Sequence, residues 1–255
     1  MVRAYRELAS EPDRDGARML LDGAHLVRDA HAAGLTFESV AVAASRLADH
    51  TEEGELARAL ESAGVPVVTV SDAVFAAISP VRSPSGVIAI ARRAPSDISA
   101  ICASKRGFTL VAVDVQDPGN LGALIRAAEA GGVTGMVVAG TSAYPFSWKA
   151  LRGSMGSALR LPVAHAADLN ATVSCLRANG TKTVAAVPRG SRGPDDIDWR
   201  GAVALFLGGE GPGLGANVVS QCDDHVTIPM APHVESLNVA VAGGILIYAA
   251  RRQRS

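Results

Sequence analysis

Leu110-Val111-Ala112-Val113-Asp114-Val115-Gln116-Asp117-Pro118-Gly119-Asn120-Leu121-Gly122-Ala123-Leu124-Ile125-Arg126-Ala127-Ala128-Glu129 changes period partway along. The apolar run 110–113 reads as a strand buried on both faces, and the Asp-Pro-Gly-Asn run 117–120 as a turn. Leu121, Leu124, Ile125 and Ala128 then fall at i, i+3, i+4 and i+7, the stripe by which a helix packs on a sheet. A strand that feeds a helix through a short turn opens a βαβ unit. Further strands are expected at 135–139, 183–187, 203–207 and 226–229, and their alternation with helices predicts a parallel sheet covered on both faces.

Upstream, a smaller α/β unit is legible. Strands are expected at 19–21, 40–42, 65–70 and 86–91, and helices at 24–33, 51–63 and 71–78. Pro66, near the start of its strand, predicts a strand beginning or a sheet edge. Arg92-Arg93-Ala94-Pro95-Ser96-Asp97 breaks the alternation, and a linker is expected from there to about residue 105. The domains are therefore 1–98 and 105–255. The closing helix, 237–252, is apolar nearly all round and carries Gly243-Gly244. Each interior glycine costs about 1 kcal/mol relative to alanine, so close packing against the sheet or another subunit is expected there.

Bulk composition excludes several classes. The chain has 255 residues, 48% of them hydrophobic, and no run of about 18 apolar residues that would span a membrane. Met1-Val2-Arg3-Ala4-Tyr5-Arg6-Glu7 lacks the apolar core of a signal peptide, so a cytoplasmic location is expected. Cys102, Cys175 and Cys222 are odd in number and irregular in spacing, which indicates neither a disulfide framework nor a zinc site. The six histidines share no metal spacing either. Net charge is −1, yet residues 1–100 carry ten Arg or Lys against fourteen Asp or Glu, while the remainder carries fourteen against eleven. Neither half is strongly basic, and charge alone does not point to nucleic acid.

Three segments carry candidate chemistry. In 117–129, Arg126 points away from the apolar stripe, and Asn120 stands about 120° from it round an ideal helix. Asn120 as an N-cap and Arg126 as a solvated charge is the plain alternative. Residues 208–213, Gly-Gly-Glu-Gly-Pro-Gly, follow a strand directly, and glycine there lets a ligand approach the backbone. The spacing is not G-x-G-x-x-G and the loop does not open the first βα unit, which argues against a nicotinamide dinucleotide. In 228–242, Ser236 reads as a possible N-cap of the last helix. Asn238 is a polar amide in an otherwise apolar first turn, which needs partners if buried. Trp148, Trp199 and Tyr144 fit either base stacking or core packing.

In this order the segments resemble those of the SpoU-type (TrmH-like) RNA 2′-O-ribose methyltransferases of the SPOUT superfamily, over residues 107–252. Arg152-Gly153-Ser154-Met155-Gly156 is similar to the family's intervening segment. Residues 18–91, with Leu21-Asp22-Gly23 and Pro84-Ser85-Gly86-Val87, resemble the substrate-binding domain that precedes many such catalytic domains. The resemblance implies a trefoil-knotted catalytic domain binding S-adenosylmethionine, an RNA substrate, ribosomal rather than transfer RNA, and a homodimer. It implies catalytic roles for Asn120, Arg126, Glu210, Ser236 and Asn238. It implies cofactor contacts from Ala139, Gly140, Thr141, Gly209, Gly211, Ile228, Met230 and Leu237, and requires no metal. A transfer RNA methyltransferase and a non-catalytic RNA-binding module are the competing readings.

Overall fold

The computed structural model describes residues 1–14, 18–48, 50–94, 96–211 and 213–254; Pro95 of the expected linker and Pro212 of the glycine-rich loop lie outside them. The chain folds as α1 (Val2–Ser10), β1 (Arg18–Asp22), α2 (Ala24–Ala32), β2 (Thr36–Ala43), α3 (Glu52–Ser62), β3 (Val67–Val70), α4 (Asp72–Ile78) and β4 (Val87–Arg92). After α5 (Ile98–Cys102) come β5 (Phe108–Val113), α6 (Pro118–Gly131), β6 (Gly135–Ala139), α7 (Trp148–Ser154), α8 (Ser157–Arg160) and β7 (Val163–Ala166). The remainder is α9 (Leu169–Ala178), β8 (Lys182–Ala186), β9 (Val203–Gly208), α10 (Ala216–Val219), β10 (Asp224–Val226) and α11 (Val239–Arg254).

The first four strands form a sheet in the order β1-β4-β2-β3. It is mixed: β4 runs antiparallel to both β1 and β2, and β2 pairs with β3 in parallel. β3, the Pro66 strand, is an edge, as its proline predicts. The second sheet has the order β10-β8-β9-β5-β6-β7, and every pairing in it is parallel. β5 and β6 are buried along their whole length and β9 along all but Gly208, which explains why they read as unbroken apolar runs.

Four elements differ from expectation. The strand expected at 226–229 is β10 at Asp224–Val226, sharing only Val226 with it. α1 was not anticipated; its Tyr5 and Leu8 enter a core cluster with Phe75, Ile78 and Ile88. The stretch read as a linker holds α5, whose N-cap Asp97 accepts a hydrogen bond from the Ser99 amide. β7 is only four residues long and carries His165, too little for a periodicity signal. The two sheets, one on either side of this stretch in sequence, pack against each other. One apolar cluster runs from Val27 and Phe37 to Leu121, Leu159 and Leu246, and the Arg93 guanidinium lies over the Phe146 ring at 4.9 Å.

α6 is terminated by standard chemistry at both ends. Asp117 is its N-cap, accepting from the Asn120 amide at 2.7 Å, and Pro118 occupies the first turn. Gly132 closes it in the left-handed region at φ 84°. The cap is thus Asp117 and not Asn120. Leu121, Leu124, Ile125 and Ala128 are all fully buried, as the stripe requires. In α11, Gly243 is pressed between Leu124 and Leu207, where an added Cβ would meet Leu124 Cδ1 at 2.3 Å. Gly244 faces open space. No helix of the described residues is long and apolar enough to cross a membrane.

Candidate functional site

The candidate site lies at the carboxyl ends of β8, β9 and β10, where α/β sheets bind ligands. β9 ends in Gly208, and the loop turns back so tightly that a Cβ on Gly208 would sit 2.2 Å from the Gly213 carbonyl carbon. Gly209 rests on the neighbouring strand end: its amide donates to the Val113 carbonyl at 2.8 Å, and an added Cβ would lie 1.8 Å from the Asp114 carbonyl oxygen. Both positions therefore require glycine for want of space. The loop, with residues from the turns after β8 and β10 and from α11, encloses a cavity of about 250 Å³.

Most of the residues singled out for a cofactor line this cavity. Gly209, Gly211, Ile228, Met230 and Leu237 do so, as do Glu210, Ser236 and Asn238. Ala139, Gly140 and Thr141 stand outside its wall. Ala139 is fully buried in β6, and the next two residues wrap the Asp114 carboxylate. Asp114 Oδ1 accepts from the Thr141 amide at 2.7 Å and from its hydroxyl at 2.9 Å. Asp114 itself has φ 59°, a left-handed conformation uncommon outside glycine and asparagine-like residues. Its backbone touches the Gly209 position and its side chain ties the turn after β6, so it joins the two loops. Sequence reasoning passed over Asp114; its one signal is a lone acid at the end of an apolar strand.

At the cavity mouth three polar side chains converge. Asn120 Nδ2 donates to Glu210 Oε1, and Asn238 Nδ2 donates to Asn120 Oδ1 at 2.9 Å. Asn238 Oδ1 in turn accepts from the amides of Ala240 and Val241 at 2.9 and 3.3 Å. The cap of α11 is consequently Asn238, not Ser236. Asn238 is exposed, and its partners define its orientation all the same. Both functions of each amide are used, so the hydrogen bonds select one of its two flips. Arg126 is exposed on the outer face of α6 and outside this network, so Asn120 is oriented by Glu210 and Asn238.

The other candidate chemistries find no support in geometry. Among the described residues no three His, Cys, Asp or Glu side chains converge to hold a metal ion. Burial and Cys175 push the Cys102 thiol up to about 12, and burial pushes Cys222 to about 11. Both are protonated at neutral pH and are poor nucleophiles. Trp199 and Tyr144 are buried, and the Trp148 indole donates to the Ala9 carbonyl at 3.1 Å, so the first two belong to the core and the third to the junction of the two units.

Comparison with known proteins gives the same order of parts. Residues 1–89 match the MRM3-like substrate binding domain. A protein of Synechocystis sp. described as an uncharacterized tRNA/rRNA methyltransferase is 34% identical over 255 residues, covering 100% of this chain and 91% of its own. The 23S rRNA (guanosine(2553)-2′-O)-methyltransferase RlmP of Bacillus subtilis is 29% identical over 249 residues, 97% of this chain and 94% of its own. Against relatives from Mycobacterium bovis the chain spans about half their length. Among solved structures, the SpoU methyltransferase AviRb of Streptomyces viridochromogenes in complex with AdoMet superposes with a TM-score of 0.88 at 26% identity, over 99% of this chain and 97% of that one. Residues 107–248, which contain the whole parallel sheet and the Asn120 network, match the SpoU rRNA Methylase family, and the chain belongs to that family.

Proposed function

We propose that the protein is an S-adenosylmethionine-dependent methyltransferase acting on a ribose 2′-hydroxyl of RNA, with large-subunit ribosomal RNA as its substrate. The observation that carries this reading is the Asn120–Glu210–Asn238 network at the mouth of a cavity walled by the glycine-rich loop on one side and by apolar side chains such as Val187, Ile228 and Leu246 elsewhere. An apolar cleft bordered by a close-packed glycine loop suits a flat nucleoside, and a carboxylate at the mouth suits a sulfonium cation. The residues present therefore fit the cofactor. The rRNA specificity in the names of relatives such as RlmP, together with the matched substrate binding domain, supports the choice of substrate.

The bound cofactor supplies an already activated methyl group, so the chain's task is to place and charge the acceptor oxygen. Binding the ribose in line converts an encounter into a local event. Gly209, Gly211, Ile228, Met230 and Leu237 form the cofactor wall, and Ala139, Gly140 and Thr141 support it through Asp114. Asn120 and Asn238, fixed by Glu210, hold the ribose edge, and Ser236 shapes the pocket beside them. Arg126 holds an RNA phosphate with its guanidinium fork and donates to the 2′-oxygen as the hydroxyl proton leaves to water and negative charge develops.

Residues 1–98 supply RNA affinity and residues 105–255 cofactor binding and chemistry. The same reading includes a trefoil knot through the cavity loops and a cytoplasmic setting. The molecule acts as a homodimer: Val241, Ile245 and Tyr248 are exposed at helical spacing on α11, with Gly244 open between them. The test incubates the protein with methyl-labelled S-adenosylmethionine and either 23S ribosomal RNA or transfer RNA, then digests the product to nucleosides. Label in a 2′-O-methylnucleoside from ribosomal RNA is expected. Label only in transfer RNA changes the substrate; cofactor and RNA binding without transfer makes the chain a binding module.

A further inference from the structure

Arg152 belongs to neither the cavity nor the Asn120 network, yet it stands where the two units meet. It lies in α7, whose backbone is pressed against α6. An added Cβ at Gly122 would be 2.5 Å from the Ala150 carbonyl oxygen, and one at Gly153 would be 3.2 Å from that of Gly119. Gly119 immediately precedes Asn120, so α7 is fixed relative to the reacting centre. From α7, Arg152 Nη1 reaches Asp22 Oδ2 at 3.7 Å, at the end of β1 in the other sheet.

The pair is lopsided. The Asp22 side chain is 3% exposed and that of Arg152 57%. Asp22 Oδ1 is the one buried side-chain polar atom among the described residues without a hydrogen-bond partner. Burial raises its carboxyl above the ordinary range, and Arg152 opposes this only in part. A buried carboxylate with one long contact is a costly tie between two units. Other contacts already tie them: Arg93 donates to the Leu161 carbonyl at 3.2 Å, Trp148 to the Ala9 carbonyl, and Arg160 to Asp29 at 3.4 Å. What Asp22 adds is an electrostatic hold on one nitrogen of a guanidinium whose side chain is more than half exposed. Lys149, one turn earlier on α7, is exposed on the same side.

We infer that Arg152, oriented by Asp22 and flanked by Lys149, is a subsite for a backbone phosphate of the RNA, where the strand passes from the N-terminal unit to Asn120. The inference rests on the RNA methyltransferase reading and deepens it. Asp22 is a positioning residue, and Arg152 makes the contact.

The experiment measures binding of the full chain to a 23S ribosomal RNA transcript across a salt series, with cofactor titration, thermal melting and methyl transfer in parallel. One phosphate contact contributes about 0.7–0.9 to the slope of log affinity against log salt. Arg152→Ala is expected to lose that slope and roughly tenfold in affinity, the scale of one such contact, while cofactor affinity is unchanged. Arg152→Lys should keep the slope with weaker binding. Asp22→Asn should keep the slope and raise the KM for RNA without lowering kcat. If Arg152→Ala does not fold, Arg152→Gln, which keeps a donor for Asp22, must show the same loss of slope. An Arg152 variant that melts lower but retains wild-type RNA affinity and salt slope overturns the inference, and wild-type methyl transfer in that experiment leaves the proposed activity standing. A wild-type chain that transfers no methyl group to RNA and binds the transcript without salt dependence sinks both.

Discussion

In the six-stranded sheet all strands run one way, so the ends of β5, β6, β8, β9 and β10 open on a single edge, whereas in the four-stranded sheet β4 runs against its neighbours and loops are divided between two edges. The parallel sheet gathers Asp114, Gly208 and the turn before Ile228 into one place, at the cost of long crossovers. The mixed sheet gathers less and is left with a surface; its one buried polar oddity, Asp22, points across to the other unit. Parallel topology thus builds an enclosed site, and mixed topology builds a platform.

The contrast is tested most severely at Arg126, on the parallel side but outside the hydrogen-bonded network. Arg126→Ala should lower kcat by about a hundredfold or more, the scale of a lost preorganised donor. Its stability should change by no more than about 0.5 kcal/mol, as for a surface substitution. Wild-type turnover would return Arg126 to a solvated charge. Arg126→Lys should rescue only partly, since the planar fork is lost. Next in size is Gly209→Ala, which drives a methyl group into the Asp114 carbonyl. Overpacking of this kind costs about 1–3 kcal/mol, and a calorimetric titration should show weakened cofactor binding. Unchanged affinity would mean the loop yields freely and the enclosed site is not rigid.

Ile245→Glu probes what covers the open stripe of α11. Light scattering should give twice the chain mass for the wild type and a single mass for the variant; a monomeric wild type removes the homodimer. The smallest effect belongs to the platform. Because burial raises the folded-state pKa of Asp22, its stabilising form is the protonated one. That contribution is complete below the unfolded value of about 3.9 and is lost as pH rises through the folded value. Asp22→Asn should therefore melt above the wild type at neutral pH, with the gap closing toward pH 4. A gap that widens on acidification would show a carboxylate stabilised by Arg152 instead.

The legible parts of this molecule are those whose environment is uniform. β5, β6 and β9 are buried on both faces, so apolar runs announce them, and the α6 stripe is answered residue for residue by burial. α1 and α5 are short and depend on distant partners such as Phe75, or on a single cap at Asp97, which periodicity does not register. The site divides in the same way. The Gly-Gly-Glu-Gly run is local and visible, and the resemblance supplied the residue types of the Asn120 network. That Asn120 bonds Asn238 and Glu210 rather than Arg126 follows from how the crossovers return, and no local pattern encodes it.

The network joins Asn120 to residues 90 and 118 positions later in the chain. At translation rates of about 5–20 residues per second, roughly 6 to 24 s separate the synthesis of Asn120 from that of Asn238. During that interval all four strands of the N-terminal sheet, the last ending at Arg92, are already synthesised while the Asn120 network does not exist. The order of synthesis accordingly completes the mixed sheet well before the last residue of the Asn120 network is made.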